Sequence, residues 1–169
     1  MVRGLKQTSS IVSVGFTIRE TVAGTFTELT TDLNLSPLDQ EVFVCLAVNL
    51  DVAAPDSLAG TDTSTRASLT STRQTAIQTL ANPNCIAAAG KATMAAGMLD
   101  SGVGYQTALE TPPANLDYIG IIATNDFFVQ IQGTNNLVTK NVSGKIYGFR
   151  AKADAAIYAA LVQSEALSA

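Results

Sequence analysis

The chain has 169 residues, 47% of them hydrophobic and only 14% charged, with a net charge of −4 and no histidine. That length fits one domain with a continuous core, and the acidic balance argues against a nucleic-acid-binding domain, which collects phosphates on a basic face. The lack of histidine excludes Ser/His/Asp and Cys/His catalysis and His-containing metal sites, and nowhere do the roughly 18 consecutive apolar residues of a spanning helix occur.

A surface poor in charge and rich in Ala, Thr, Ser, Gly and Asn carries little electrostatic repulsion, so copies can approach one another cheaply; a large core under a neutral polar surface gives the same composition. Residues 1–10 read as a flexible N-terminal arm. Arg3 and Lys6 make it positive, a candidate for contact with nucleic acid or a membrane surface, or simply a solvated terminus. No apolar run of signal-peptide length follows these cations, so a soluble or assembled chain is expected.

Val12, Val14, Phe16 and Ile18 alternate with Ser13, Gly15, Thr17 and Arg19, the period of two that puts one strand face on a core. Residues 25–35 resume the pattern with Leu29, Leu33 and Leu35, predicting a hairpin with the first strand. Ser36-Pro37-Leu38-Asp39 reads as a turn. Residues 41–51 are apolar on both faces, as in a central, covered strand, and include Cys45 as a small buried hydrophobe. After the loop around Pro55 and Gly60, the Thr/Ser-rich stretch 61–75 suits a strand with Arg66 and Arg73 on its wet face. Residues 76–97 are broken by Asn82-Pro83-Asn84, and the Ala-rich part from Ile86 to Ala96 could be a short helix or a small-residue strand, reading first as helix or irregular structure. Residues 117–123 and 127–133 predict a hairpin about Thr124-Asn125-Asp126, and 138–149 a strand with Val142 and Ile146 on one face. From residue 151 the period changes to a C-terminal helix, 151–169, with a stripe of Ala153, Ile157, Ala160, Leu161 and Ser164. That stripe fits packing on the domain's own sheet and close approach of another backbone equally. The whole predicts a single mainly β domain, an antiparallel β-sandwich of jelly-roll-like plan with a C-terminal α-helix.

The chemistry-bearing motifs are sparse. No phosphate-binding loop, dinucleotide fingerprint or calcium loop occurs, and Gly102-Val103-Gly104 is an isolated Gly-x-Gly. Glu28, Asp51, Glu110 and Asp126 are acids without a context that pairs them. Cys45 and Cys85 read as free thiols, with a bridge between them left open. Tyr105, Tyr118, Tyr147 and Tyr158 read as core or interface residues. No catalytic, cofactor-binding or metal-ligating residue is assigned, and no enzyme activity, cofactor or small-molecule substrate is expected.

The segments Asp117-Tyr118-Ile119-Gly120-Ile121-Ile122-Ala123-Thr124-Asn125-Asp126-Phe127-Phe128-Val129-Gln130-Ile131-Gln132-Gly133 and Lys145-Ile146-Tyr147-Gly148-Phe149-Arg150-Ala151-Lys152-Ala153-Asp154 look like late strands of a viral coat domain. In texture and length the chain resembles the single jelly-roll capsid proteins of tailless icosahedral viruses of bacteria and archaea. The resemblance implies a self-assembling structural subunit located in the virion, its partners being copies of itself and other capsid proteins. The helix after the last strand departs from the simplest jelly-roll plan. Two other functions compete: an extracellular β-sandwich binding module or surface filament subunit, suggested by Thr-rich strands and the triplets Asn34-Leu35-Ser36 and Asn141-Val142-Ser143, and a carboxylate-only enzyme.

Overall fold

A computed structural model of the chain describes residues 4–99, 102–107 and 116–168. The alternation at residues 12–18 forms strand β2 (Val12–Arg19), with Phe16 and Ile18 buried and Ser13, Gly15 and Thr17 facing water. Ahead of it lies β1 (Leu5–Gln7); after it come β3 (Thr27–Asp32), β4 (Glu41–Val52), β5 (Thr63–Thr70), β6 (Cys85–Met94) and β7 (Val103–Thr107). The chain finishes with β8 (Gly120–Ile122), β9 (Asp126–Thr134), β10 (Asn141–Ala153) and α1 (Ala155–Leu167).

Hydrogen bonding sorts the ten strands into two antiparallel sheets. In sheet A the order is β2-β10-β4-β8, with β1 continuing the β2 edge along the far half of β10; sheet B runs β3-β9-β5-β6-β7. β2 pairs with β10, β3 with β9, β4 with β8 and β5 with β6, each antiparallel. First with last, second with second-last and so inward is the pairing of one long hairpin rolled into two facing sheets, a jelly-roll-like β-sandwich. β1 and β7 are additions at the edges.

The inner faces enclose one core that includes Phe16, Phe43, Leu69, Ile122, Phe127, Val129, Ile131, Val142 and Ile146, with Phe16 and Phe127 meeting edge to face at 5.7 Å between ring centroids. A second, smaller core lies on the outside of sheet A, where Val42, Val44, Ala123, Ala151 and Ala153 are covered by Ile157, Tyr158, Leu161 and Val162 of α1. Two cores explain why Val42, Phe43, Val44 and Cys45 are all buried: odd and even positions of β4 serve different cores. The outer face of sheet B is covered by residues 71–84 through polar contacts. Gln130, fully buried, accepts from the Ser68 hydroxyl and donates to Thr70 and Glu28, while the Gln74 and Gln78 amides donate to Glu28 and to Ser68 Oγ.

Several expectations are corrected. β2 and β3 do not form a hairpin, nor do β8 and β9, because each short connection crosses from one sheet to the other. Residues 86–94 take the small-residue-strand alternative and not helix: the alanines of β6 pair with β5, and Ala87 and Ala89 pack at the core between the sheets. Strand β10 runs through Ala153, and the helix begins at Ala155; alanines at alternate positions satisfy a covered strand as well as a helix. On α1 the packed face is Ile157, Tyr158, Leu161, Val162 and Glu165, whereas Ala160 and Ser164 are exposed. Residues 5–7 of the expected flexible arm are a strand, with Leu5 buried and Lys6 opposite Lys152.

Candidate interaction surface

The acids singled out from the sequence are not brought together. Glu28 lies opposite Gln130 and Asp126 opposite Asp32 on one ladder, Asp51 sits in the other sheet facing Lys91 at 3.6 Å, and Glu110 lies outside the described residues. Arg66 is exposed, as expected; Arg73 bonds Glu28 at 3.3 Å and stands over the Phe128 ring. Both cysteines are free thiols, and burial pushes Cys45 up to about 12 and Cys85 to about 11, so neither is a thiolate at neutral pH. None of the four tyrosines belongs to the main core. Tyr105 and Tyr118 are exposed, Tyr147 is half-buried on β10, and Tyr158 packs in the second core. Among the described residues no group of three or more Cys, Asp or Glu side chains is placed to hold a metal ion.

A cavity of about 160 Å³ opens where α1 meets the start of β6 and β8, lined in part by Asn84, Cys85, Ile119, Leu161 and Glu165. Glu165 reaches from the helix to accept the backbone amides of Ala123 and Thr124, both at 3.0 Å. Burial raises its pKa, and those amides oppose the shift only in part. No cation pairs with it in the described residues, so the carboxyl works as an anchor for the helix.

The densest polar construction sits at one end of the sandwich, where the connections 20–26, 53–62, 95–99 and 135–140 converge. Glu20, buried, accepts the amides of Gly133 and Lys140. Asp56 accepts the amides of Leu137 and Val138 and the ammonium of the buried Lys140, which holds its carboxyl below the usual range. Asp62 accepts the amides of Ala95 and Ala96 and is likewise lowered by them. Asn136 receives the Asp56 amide and donates to the Ser64 carbonyl; Asn135 donates to the Asp62 carbonyl. Polar side chains thus tie loop to loop, Glu20, Asn136 and Lys140 from buried positions and Asp62 and Asn135 from exposed ones, while aliphatic side chains stand out in solvent. Val22, Met98, Leu99, Leu137 and Val138 are between 42% and 89% exposed.

Sequence reasoning passed over Val22, Met98, Leu99 and Leu137 because they lie in polar connections, where no period marks them, and placed Val138 at the start of a strand that begins only at Asn141. The available signal was Leu137-Val138, an aliphatic pair placed directly after the turn residues Asn135-Asn136, a position where core packing gives it no reason to be.

No family model matches the chain, and no curated protein or solved structure matches it either.

Proposed function

We propose that the protein is a structural subunit that self-assembles into a closed shell, of the kind that forms a viral capsid. The observation that carries this reading is where the large apolar side chains stand. They are exposed at both ends of the sandwich, Val22, Leu137 and Val138 at one and Leu38 and Leu80 at the other, and again on the β6–β7 edge at Met94, Val103 and Tyr105. A lattice subunit needs at least two different contact patches, because a single self-complementary patch stops at a dimer. A ligand-binding module needs one site, and the cavity under α1 is small beside the roughly 300–1,000 Å³ of ordinary ligand pockets.

The edge carrying β1 supports a further element of the reading. Lys6 and Lys152 stand directly opposite each other, both exposed, an unfavourable like-charge pair in isolation. Glu41, opposite Lys152 on β4, offsets part of it, and phosphate groups, of a genome or of lipid headgroups inside the shell, would relieve the rest.

Electron microscopy and sedimentation of the purified chain test the proposal. Closed particles or regular lattices are expected at tens of micromolar protein and above. A protein that sediments as a monomer at every concentration and salt condition, alone and with nucleic acid or vesicles added, overturns it.

A further inference from the structure

We propose that the cavity beneath α1 binds a small aliphatic ammonium ion, with Glu165 as its counter-charge and Leu161, Ile119 and Ile121 beside its hydrocarbon part. The site does not depend on whether copies of the chain assemble.

The carboxyl is the first argument. Glu165 is 7% exposed and is the only charged residue of α1. Of the twelve residues that line the cavity, it is the only acid or base apart from the Cys85 thiol, which burial keeps neutral. An ionised carboxylate has about four acceptor positions. The amides of Ala123 and Thr124 take two of them, and among the described residues no cation bonds it. A buried anion without a partner is unfavourable, and a cation entering the cavity relieves it.

The helix supplies a second argument. Leu161, Ser164, Glu165 and Ser168 come from the last turns of α1, so the cavity lies at the end where carbonyls without helical partners leave partial negative charge. Basic residues suit that end of a helix, yet the last turn of α1 has none and carries an acid instead. A carboxylate and a helix C-terminus thus meet at the wall of one cavity, and the described part of the chain gives neither a cation.

Size and lining select the ligand. A hard metal ion wants six or so oxygen ligands, whereas no three acids or thiols gather among the described residues, and Ile86, Ile119, Ile121 and Leu161 cannot coordinate. An anion would meet Glu165, and a wholly apolar molecule would strip water from the carboxylate without replacing its bonds. An ammonium on a short alkyl chain suits both parts of the lining: its three N–H groups find the carboxylate and the hydroxyls that Ser71, Ser164 and Ser168 bring. A volume of about 160 Å³ holds a molecule of about six non-hydrogen atoms, the size of butyl- or pentylammonium. Leu161 and Glu165 belong to the helix and Ile119 and Ile121 to the sandwich, so a bound ammonium fastens one to the other and its binding appears as stability.

The probe is n-butylammonium chloride at pH 7 and constant ionic strength. The controls are n-butanol, which has the chain without the charge, and tetramethylammonium chloride, which has the charge without N–H donors. With butylammonium at roughly tens of millimolar, thermal unfolding followed by circular dichroism is expected to move up saturably by a few degrees, and with either control by less than about one degree. Titration calorimetry of the folded protein is expected to give one site with a dissociation constant of about a millimolar, in keeping with so small a ligand. Glu165→Gln removes the counter-charge, and Ser164→Leu, at an exposed position of the helix, fills the cavity while leaving Glu165 in place. Both are expected to weaken binding at least about tenfold. Unchanged circular dichroism of the Ser164 variant separates loss of the site from loss of the fold.

An equal response to butanol would make the cavity merely apolar, and an equal response to tetramethylammonium would reduce the effect to screening at the surface. An undiminished response in Ser164→Leu would put the amine elsewhere, and no response in the wild type would leave water as the occupant. Any of these four results overturns the inference.

Discussion

Three positions of the sheets, Thr65, Gly144 and Gly148, put packing into measurable form. Thr65 is fully buried and its hydroxyl finds no partner among the described residues, so it carries a desolvation cost of about 1–3 kcal/mol without a compensating bond. Thr65→Val keeps the shape and removes the orphan; thermal unfolding is expected to rise by a few degrees, whereas Thr65→Ser, which keeps the hydroxyl and opens a gap, lowers it. Gly144 and Gly148 show the opposite constraint. A Cβ at Gly144 would run into the Asn49 carbonyl and the Phe16 ring, and one at Gly148 into the Val44 carbonyl and the Phe43 ring. These glycines let two core aromatics lie flat on β10, so Gly144→Ala or Gly148→Ala should cost about 1–3 kcal/mol, several degrees of melting temperature in a domain of this size. Gly104→Ala, where a Cβ meets nothing within 4 Å, should leave the melting temperature nearly unchanged.

The two outer coverings, residues 71–84 on sheet B and α1 on sheet A, are held by different forces, and each can be loosened separately. The covering of sheet B hangs on Gln130. Gln130→Leu takes from Ser68, Thr70 and Glu28 the buried amide they share, leaving each with fewer bonds, and should speed trypsin cleavage after Arg73 severalfold while the sandwich stays folded. On sheet A, Glu165 has its pKa raised by burial above the unfolded value. Its contribution is therefore fully present below about pH 4.5, is lost as pH rises through the folded value, and is constant above that. Glu165→Gln does not titrate, so the stability difference between wild type and variant should be largest near pH 4 and smaller at pH 7, measured by denaturant unfolding at both. The strands were legible wherever a period of two contrasts apolar with polar, as at Val12–Ile18 and Val142–Ile146. β6 was not, because Ala87, Ala88, Ala89 and Gly90 give no contrast between faces. The pairing was not legible either. The short turn Thr124-Asn125 looks like a hairpin in sequence, and only the packing of Ile122 and Phe127 into one core from opposite sheets shows that it is a crossing. The candidate surface was invisible for a related reason: Val22 and Leu137 are unremarkable until the loops around them are seen to converge.

At the scale of the whole molecule, the sparseness of charge fixes how assembly should respond to conditions. An assembly held by ion pairs weakens steeply with salt, because exposed pairs are screened over a Debye length of about 8 Å at physiological ionic strength. Here the exposed patches named above are apolar and only 14% of the chain is charged, so association should change little, or strengthen, as sodium chloride rises from 50 to 500 mM, the added salt screening the repulsion of the net −4 charge. Temperature discriminates further. Aliphatic burial near room temperature is driven by entropy and weakens on cooling, so assemblies formed at 25 °C should partly dissociate at 4 °C and reform on rewarming, as followed by light scattering. A contact made mainly of hydrogen bonds would show the reverse trend, its favourable enthalpy making it tighter in the cold. Acid supplies a third axis. Asp56 is held low by Lys140 and by the amides of Leu137 and Val138, so the clamp on those two residues persists as pH falls past the ordinary carboxylate range and gives way only when Asp56 is finally protonated. Assembly should therefore survive to pH values at which free carboxylates are already neutral, and Asp56→Asn, which keeps the shape but removes the charge that fixes Lys140, should move that limit upward or weaken assembly at every pH.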